Sequence, residues 1–229
     1  EEINQSLDRN ILWQGEKMEI LKQISEALQR GDDESVFELT KTAIAQNLSP
    51  KDILDNGLID GMNIIGEQFK NHEIFLPDVL VAAKAMYAGM DQLKPLLIKE
   101  GIKSQGKIVI GTVYGDLHDI GKNLVSIMLR GAGFEVIDLG KNVAAEEFVE
   151  TARKENAKII GMSALLTTTM PVMGKVTELL KEKKLDGSIK IIVGGAPLSD
   201  DFARKIGADA YAYDAANAVE RVKLLMGAQ

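Results

Sequence analysis

Cysteine is absent from this chain. That excludes disulfides, a thiolate nucleophile, an iron–sulfur cluster and a Cys-type zinc site. Histidine is nearly absent: His72 and His118 are the only two, so any imidazole chemistry belongs to one of them. Basic residues are outnumbered, 27 Lys+Arg against 34 Asp+Glu, for a net charge of −7. Bulk phosphate neutralisation needs a basic face, so no nucleic-acid partner is expected. Long apolar runs are missing too. The most apolar stretch, residues 76–90, is interrupted by Asp78 and Lys84 and keeps an amphipathic pattern, so no membrane partner is expected. No secretory signal is visible, which makes cytoplasm the expected compartment. The chain starts at Glu1 without Met, and a trimmed N-terminus is the expectation.

What is present is 229 residues, 45% of them hydrophobic, enough for one large domain or two small ones. Up to Leu97 the apolar residues recur at helical spacing. Leu21, Ile24 and Leu28 form one stripe, ended by Gly31; Val36, Leu39 and Ala43 form another. Ser49-Pro50 reads as a cap and first helical position before Leu54, Leu58, Met62, Ile65 and Phe69. Pro77 opens a fourth stripe of Val79, Ala83, Met86, Met90, Leu93 and Leu97. Four amphipathic helices with short connections predict a small bundle. Polar residues 99–106 predict a linker. Beyond it the period changes. Short β-branched runs at 108–113, 135–139, 158–162, 189–193 and 209–211 alternate with helical segments at 121–130, 145–154, 173–182, 199–206 and 217–226. Strands apolar on both faces, alternating with helices, predict an α/β fold with a doubly wound parallel sheet. The expected domains are therefore a helical cap at 1–98, a linker at 99–106 and a Rossmann- or flavodoxin-like domain at 107–229.

Ligands of open parallel sheets bind beyond the carboxyl ends of the strands. Three loops should open there: Tyr114 to Asn123, Ser163 to Thr169, and Gly194 to Pro197. The first has the look of a phosphate loop, but five residues rather than four separate Gly115 from Gly121, and Asn123 rather than Ser or Thr follows Lys122. Asp116 and Asp119 would also repel phosphate. A carboxylate two residues before His118 can turn onto one imidazole nitrogen, fix the tautomer and leave the other nitrogen as a metal ligand. For an isolated D-x-H, a surface histidine with a local hydrogen bond is the favoured reading, because short motifs match by chance often. One histidine cannot hold a bare metal ion, so a metal would have to arrive with its other ligands in a macrocycle. Gly194-Gly195 permits either close approach of a ligand to the backbone or a tight turn. Ser163 and Thr167-Thr168-Thr169 could meet a polar ligand or cap the helix near Pro171.

Asp116-Leu117-His118-Asp119-Ile120-Gly121-Lys122-Asn123 resembles the D-x-H-x-x-G signature of cobalamin-binding domains. Ser163-Ala164-Leu165 resembles the family's S-x-L element and Gly194-Gly195 its G-G element. The helical half, with Gly61-Met62, Gly66, Phe69 and Phe75-Leu76-Pro77, resembles the family's cap. From about Lys17 on, the chain is similar to the corrinoid proteins of methyltransferase systems and to the cobalamin-binding module of methionine synthase.

The resemblance implies cobalamin as cofactor, as methylcobalamin or the Co(I) corrinoid, bound with its own base displaced and His118 as the lower axial ligand to cobalt. Asp116 is then the partner of His118, and the two form the catalytic pair. Gly115, Leu117, Asp119, Ile120 and Gly121 complete the binding loop. The displaced nucleotide tail is expected past Ser163, Leu165, Thr167 and Gly194-Gly195, with Ala215 at its end. Phe69, Leu76 and Val79 match cap positions that cover the methyl-bearing face. Thr169 stands where methionine synthase completes a His-Asp-Ser chain. No residues suited to activating a methyl donor are visible, so a carrier subunit, not catalytic alone, is implied. Its expected partners are a donor-specific methyltransferase, an acceptor methyltransferase using tetrahydrofolate or a thiol, and a reductive activation protein. The alternative is a cobalamin-dependent sensory module without methyl transfer. Light-responsive regulators of that kind carry a Trp followed by a Glu-His pair in the cap, and no such pair follows Trp13, the single tryptophan.

Overall fold

The computed structural model describes the backbone of residues 2–102 and 104–227, and the side chains from Gly15 onward except residue 16. Glu1, the side chain of Trp13, and Lys103 of the expected linker lie outside that description. The chain divides into two units, Glu1–Lys103 and Ser104–Gln229.

The first unit contains helices α1 (Glu2–Gln29), α2 (Asp33–Ala45), α3 (Pro50–Ile53), α4 (Asp60–Lys70) and α5 (Leu76–Lys99), with a π-helical turn at Leu54–Ile59 joining α3 to α4. Local chemistry sets the ends. Gly31, at φ +69°, turns the chain under Val81, whose Cβ would lie 2.9 Å from any Cβ at Gly31. Asp32 then caps α2 by accepting from the Ser35 N–H at 3.0 Å. Asp78 reaches back to the Phe75 N–H at 2.9 Å and closes the start of α5. The sequence stripe predicts one uniform helix from Pro50 to Phe69, and the π turn is a departure from it. A wider turn rotates the buried face, so Ile53 is fully enclosed while Leu54 is only half-buried. Gly57 and Gly61 let α1 approach: a Cβ on Gly57 would lie 3.2 Å from Ile24 Cγ2, and one on Gly61 would lie 3.0 Å from the Ser25 carbonyl. Ile24, Leu28, Ile53, Leu58, Ile65 and Leu93 form the fully buried centre of the bundle, each worth about 1.5–3 kcal/mol of burial. Pro95 sits inside α5, where its missing N–H is tolerated because buried Leu93 and Leu97 pin the last turns.

The second unit alternates β1 (Lys107–Thr112), α6 (Ile120–Gly131), β2 (Glu135–Asp138), α7 (Ala145–Lys154), β3 (Ile159–Ser163), α8 (Pro171–Glu182), β4 (Lys190–Gly194), α9 (Asp200–Ile206), β5 (Ala210–Ala212) and α10 (Ala215–Leu225). The sheet is wholly parallel, in the order β2-β1-β3-β4-β5. Val109, Val113, Ile160, Met162, Ile191 and Val193 pack with Phe148, Val149, Met173, Val176 and Ala203 of α7, α8 and α9. Their neighbours Ile108, Ile110, Ile159, Ile192 and Ala212 pack with Leu129, Ala218 and Val222 of α6 and α10. This two-faced burial is why the strands read as unbroken apolar runs. The sense of the connections reverses between β1 and β3, which creates a crevice at their carboxyl ends.

Candidate functional site

Asp116 lies in the loop leaving β1, wholly buried, and every bond its carboxylate makes is accepted. Oδ1 takes the His118 backbone N–H at 3.0 Å and His118 Nδ1 at 2.8 Å. Oδ2 takes the N–H groups of Leu165 and Leu166 at 2.7 and 3.0 Å, and lies 3.0 Å from Thr169 Oγ1. Burial pushes the Asp116 carboxyl upward, but the donated bonds from His118, Leu165 and Leu166 outweigh it and hold the group well below the usual carboxylate range. An ionised acceptor on Nδ1 assigns that nitrogen the proton, leaving the Nε2 lone pair free. The His118 side chain is 52% exposed, among the exposed apolar side chains Leu117, Ile120, Leu165 and Leu166.

The Asp116 bonds join two loops, one after β1 and one after β3. Thr169 Oγ1 lies 2.8 Å from the Leu166 carbonyl as well as 3.0 Å from Asp116. One hydroxyl has one proton, and the bond to the carboxylate is the stronger of the two. Thr112 Oγ1 donates to the His118 carbonyl at 3.0 Å and fixes the far end of the loop.

Two holding devices escaped the sequence reading. Asn142, at φ +60°, accepts the Gly115 N–H on its side chain at 2.8 Å and donates its own N–H to the Asp116 carbonyl at 3.1 Å. Asparagine is one of the few non-glycine residues suited to that backbone, and its place just after β2 is the one signal that could have found it. Lys122 is almost fully buried, its Nζ 2.7 and 2.5 Å from the Asp138 carboxylate oxygens and 2.6 Å from Asn123 Oδ1. It ties the first turn of α6 to the end of β2. What looks like a phosphate-loop lysine is thus a paired structural cation.

Gly195, at φ +135°, passes so close to the β3 loop that a Cβ would lie 1.9 Å from the Ala164 carbonyl oxygen. Strand alternation puts Thr112, Gly161, Ser163, Gly194 and Ala212 on the α6/α10 face; Gly161 lies level with Ile110 and Ile192, and Thr112, Ser163, Gly194 and Ala212 form the last row beyond them. Ser163 is half-buried there, Thr167 is exposed, and Ala215 is buried in the first turn of α10. Asp119 is half-buried at the start of α6, followed by exposed Ile120 and Gly121.

Phe69, Leu76 and Val79 belong to the first unit. Phe69 and Leu76 are half-buried, whereas Val79 lies fully enclosed in the bundle with no surface to offer a ligand. Its place one turn into α5, facing the core with Ala82, Ala83 and Met86, is the reason. Among the described residues, no cluster of three or more His, Asp or Glu side chains could hold a metal ion, and no helix is long and apolar enough to cross a membrane.

Comparison with known proteins follows the same division. A B12 binding domain model matches residues 106–223, and a second B12 binding domain model matches residues 20–94. A corrinoid protein of Desulfitobacterium hafniense is 45% identical over 213 residues, 92% of this chain and 99% of that protein. Trimethylamine corrinoid protein 1 of Methanosarcina mazei is 44% identical over 209 residues, 90% of this chain and 97% of its own. The solved methanol:cobalamin methyltransferase complex of Methanosarcina barkeri contains a chain that superposes with a TM-score of 0.83 at 32% identity, covering 92% of this chain and 81% of that one.

Proposed function

The chain belongs to the B12-binding corrinoid proteins of methyltransferase systems, and from that premise we propose that it is a methyl carrier in which His118 is the lower axial ligand of a corrinoid with its own base displaced. The observation that carries this reading is the Asp116–His118 pair. A lone imidazole with a fixed tautomer and an open Nε2 suits a metal that brings its remaining ligands in a macrocycle. Among the described residues, no cluster of His, Asp or Glu side chains could hold a bare ion in its place. The bound corrinoid would supply a cobalt centre able to accept and give up a methyl group.

Everything else falls to the chain's own residues. Asp116, saturated by donors, keeps Nδ1–H in place and leaves Nε2, across the ring, free to serve as a ligand. When Nε2 is not engaged it can hold a proton, and the resulting imidazolium faces a buried carboxylate at 2.8 Å. Leu117, Ile120, Leu165 and Leu166 offer an apolar bed for a flat ring around the imidazole. Gly194 and Gly195 leave backbone where a tail could pass. The partners follow from the carrier role: one methyltransferase to load the methyl group, a second to unload it to tetrahydrofolate or a thiol, and a reductive activator. The relatives whose names state a substrate make a methylamine or methanol the expected ultimate donor.

The test is the absorption spectrum of the protein reconstituted with methylcobalamin. Wild type should show a nitrogen-ligated spectrum at neutral pH, and His118→Ala that of a form lacking the lower nitrogen. An unchanged spectrum in His118→Ala refutes the axial role; no cobalamin retained by wild type refutes the carrier reading.

A further inference from the structure

We propose that Asn142, in the loop between β2 and α7, is a positioning residue for His118, an inference that rests on the carrier reading above. Among the described residues, five other than glycine have a positive φ: Asn47, His72, Asn142, Asn156 and Lys184. Four of them stand directly after the closing residue of a helix, where a left-handed residue ends the spiral and bonds back to it. Asn142 ends no helix. Its left-handed backbone, at φ +60°, turns both its N–H and its side chain onto one target, the loop leaving β1. The N–H donates to the Asp116 carbonyl at 3.1 Å, and Oδ1 accepts the Gly115 N–H at 2.8 Å.

What Asn142 grips is a turn that could otherwise change state. The Asp116 N–H bonds the Val113 carbonyl at 3.1 Å, and the positive φ falls on Gly115, at +83°, not on Tyr114, which makes this a type II turn. Glycine accepts φ of either sign, so the peptide between Tyr114 and Gly115 is free to rotate into the type I form. Asn142 Oδ1 holds the N–H of that peptide; the rotated form would set the Tyr114 carbonyl oxygen against it. The second grip lies beyond Asp116. Of the two peptide groups that flank the Asp116 Cα, one is fixed by the turn bond to Val113 and the other by the Asn142 N–H. The direction in which Asp116 sends its carboxylate to His118 Nδ1 is thereby set. Thr169 closes the other flank, since a Cβ on Gly115 would lie 3.2 Å from Thr169 Cγ2. A turn released by Asn142 therefore relaxes away from the β3 loop, whose Leu165 and Leu166 N–H groups hold Asp116 Oδ2. The gripping loop is itself anchored: the Thr112 N–H bonds the Gly140 carbonyl at 2.9 Å, and the Val143 N–H bonds the Thr112 carbonyl at 3.0 Å.

His72 and His118 are the only histidines, so nitrogen NMR of the apoprotein, at a pH where both imidazoles are neutral, reads the tautomer of His118 with His72 as internal reference. Wild type should carry the His118 proton mainly on Nδ1. Asn142→Gly keeps the left-handed backbone and drops the acceptor. It should lower the Nδ1–H to Nε2–H ratio about fivefold, as a charge-assisted bond loosens, and speed hydrogen exchange of the Gly115 amide about tenfold. Asn142→Asp keeps an acceptor oxygen and should restore both values. Asn156→Gly makes the same substitution at the end of α7 and should leave His118 as in wild type. With methylcobalamin bound, the nitrogen-ligated share of the spectrum should fall in Asn142→Gly and return in Asn142→Asp. A merely structural asparagine would lower the melting temperature in Asn142→Gly and leave the tautomer ratio where it was. That result, or equal ratios in Asn142→Gly and Asn142→Asp, overturns this inference alone. Wild type without a nitrogen-ligated spectrum overturns the carrier reading and this inference with it.

Discussion

Replacing Asp116 by Asn is the sharpest probe of the site, because it keeps the shape and removes acceptor capacity. The carboxylate accepts from three backbone N–H groups, from Nδ1 and from the Thr169 hydroxyl. An amide has one oxygen. If that oxygen takes the Oδ2 position it serves Leu165, Leu166 and Thr169, but Nδ2 then confronts the His118 N–H and forces Nδ1 to become an acceptor. If it takes the Oδ1 position, the Leu165 and Leu166 N–H groups both lose their partner. The first arrangement strands one donor and the second strands two, at about 1–3 kcal/mol each. The first should win, with a loss of about 2–4 kcal/mol once the weakening of charge-assisted bonds is included. It also moves the imidazole proton to Nε2, so the axial nitrogen is lost together with the stability. Urea unfolding of the apoprotein measures the first effect, and the methylcobalamin spectrum the second. The pH dependence supplies a check on sign. The folded carboxyl of Asp116 titrates below its unfolded value, so its contribution is present above about pH 4 and is lost as the pH falls further. Wild type should therefore lose stability more steeply than Asp116→Asn below about pH 4. An Asn variant within about 0.5 kcal/mol of wild type, with an unchanged spectrum and acid slope, would refute the reasoning.

Thr169→Val removes one of five bonds to Asp116 and should cost about 1 kcal/mol, with Thr169→Ser restoring the hydroxyl; the methylcobalamin spectra of the two should differ in how readily acid displaces the imidazole. Gly195→Ala puts a Cβ 1.9 Å from the Ala164 carbonyl at φ +135°, a strain of about 2 kcal/mol or more, and should weaken corrinoid binding in a titration because the β3 and β4 loops must separate. Lys122→Met takes the cation from Asp138, which keeps the Gly140 N–H at 2.8 Å and a quarter of its exposure, and should cost about 2 kcal/mol in urea unfolding, whereas Lys122→Met with Asp138→Leu should recover part of that loss.

The alternation of strands and helices was legible because both faces of each strand are covered, which leaves runs too short and too apolar to be anything else. The helix predicted at 145–154 is α7 (Ala145–Lys154), and every strand edge falls within one residue of its expected place. The π turn was not legible. Leu54, Leu58 and Met62 keep a spacing of four, and nothing in that pattern signals an added residue. The bond from Thr169 to Asp116 spans 53 residues, a distance over which spacing rules say nothing; only the resemblance to a known family pointed to it. A lysine is ordinarily exposed, and nothing in the sequence marks Lys122 as buried; its burial becomes visible only when the end of β2 brings Asp138 alongside.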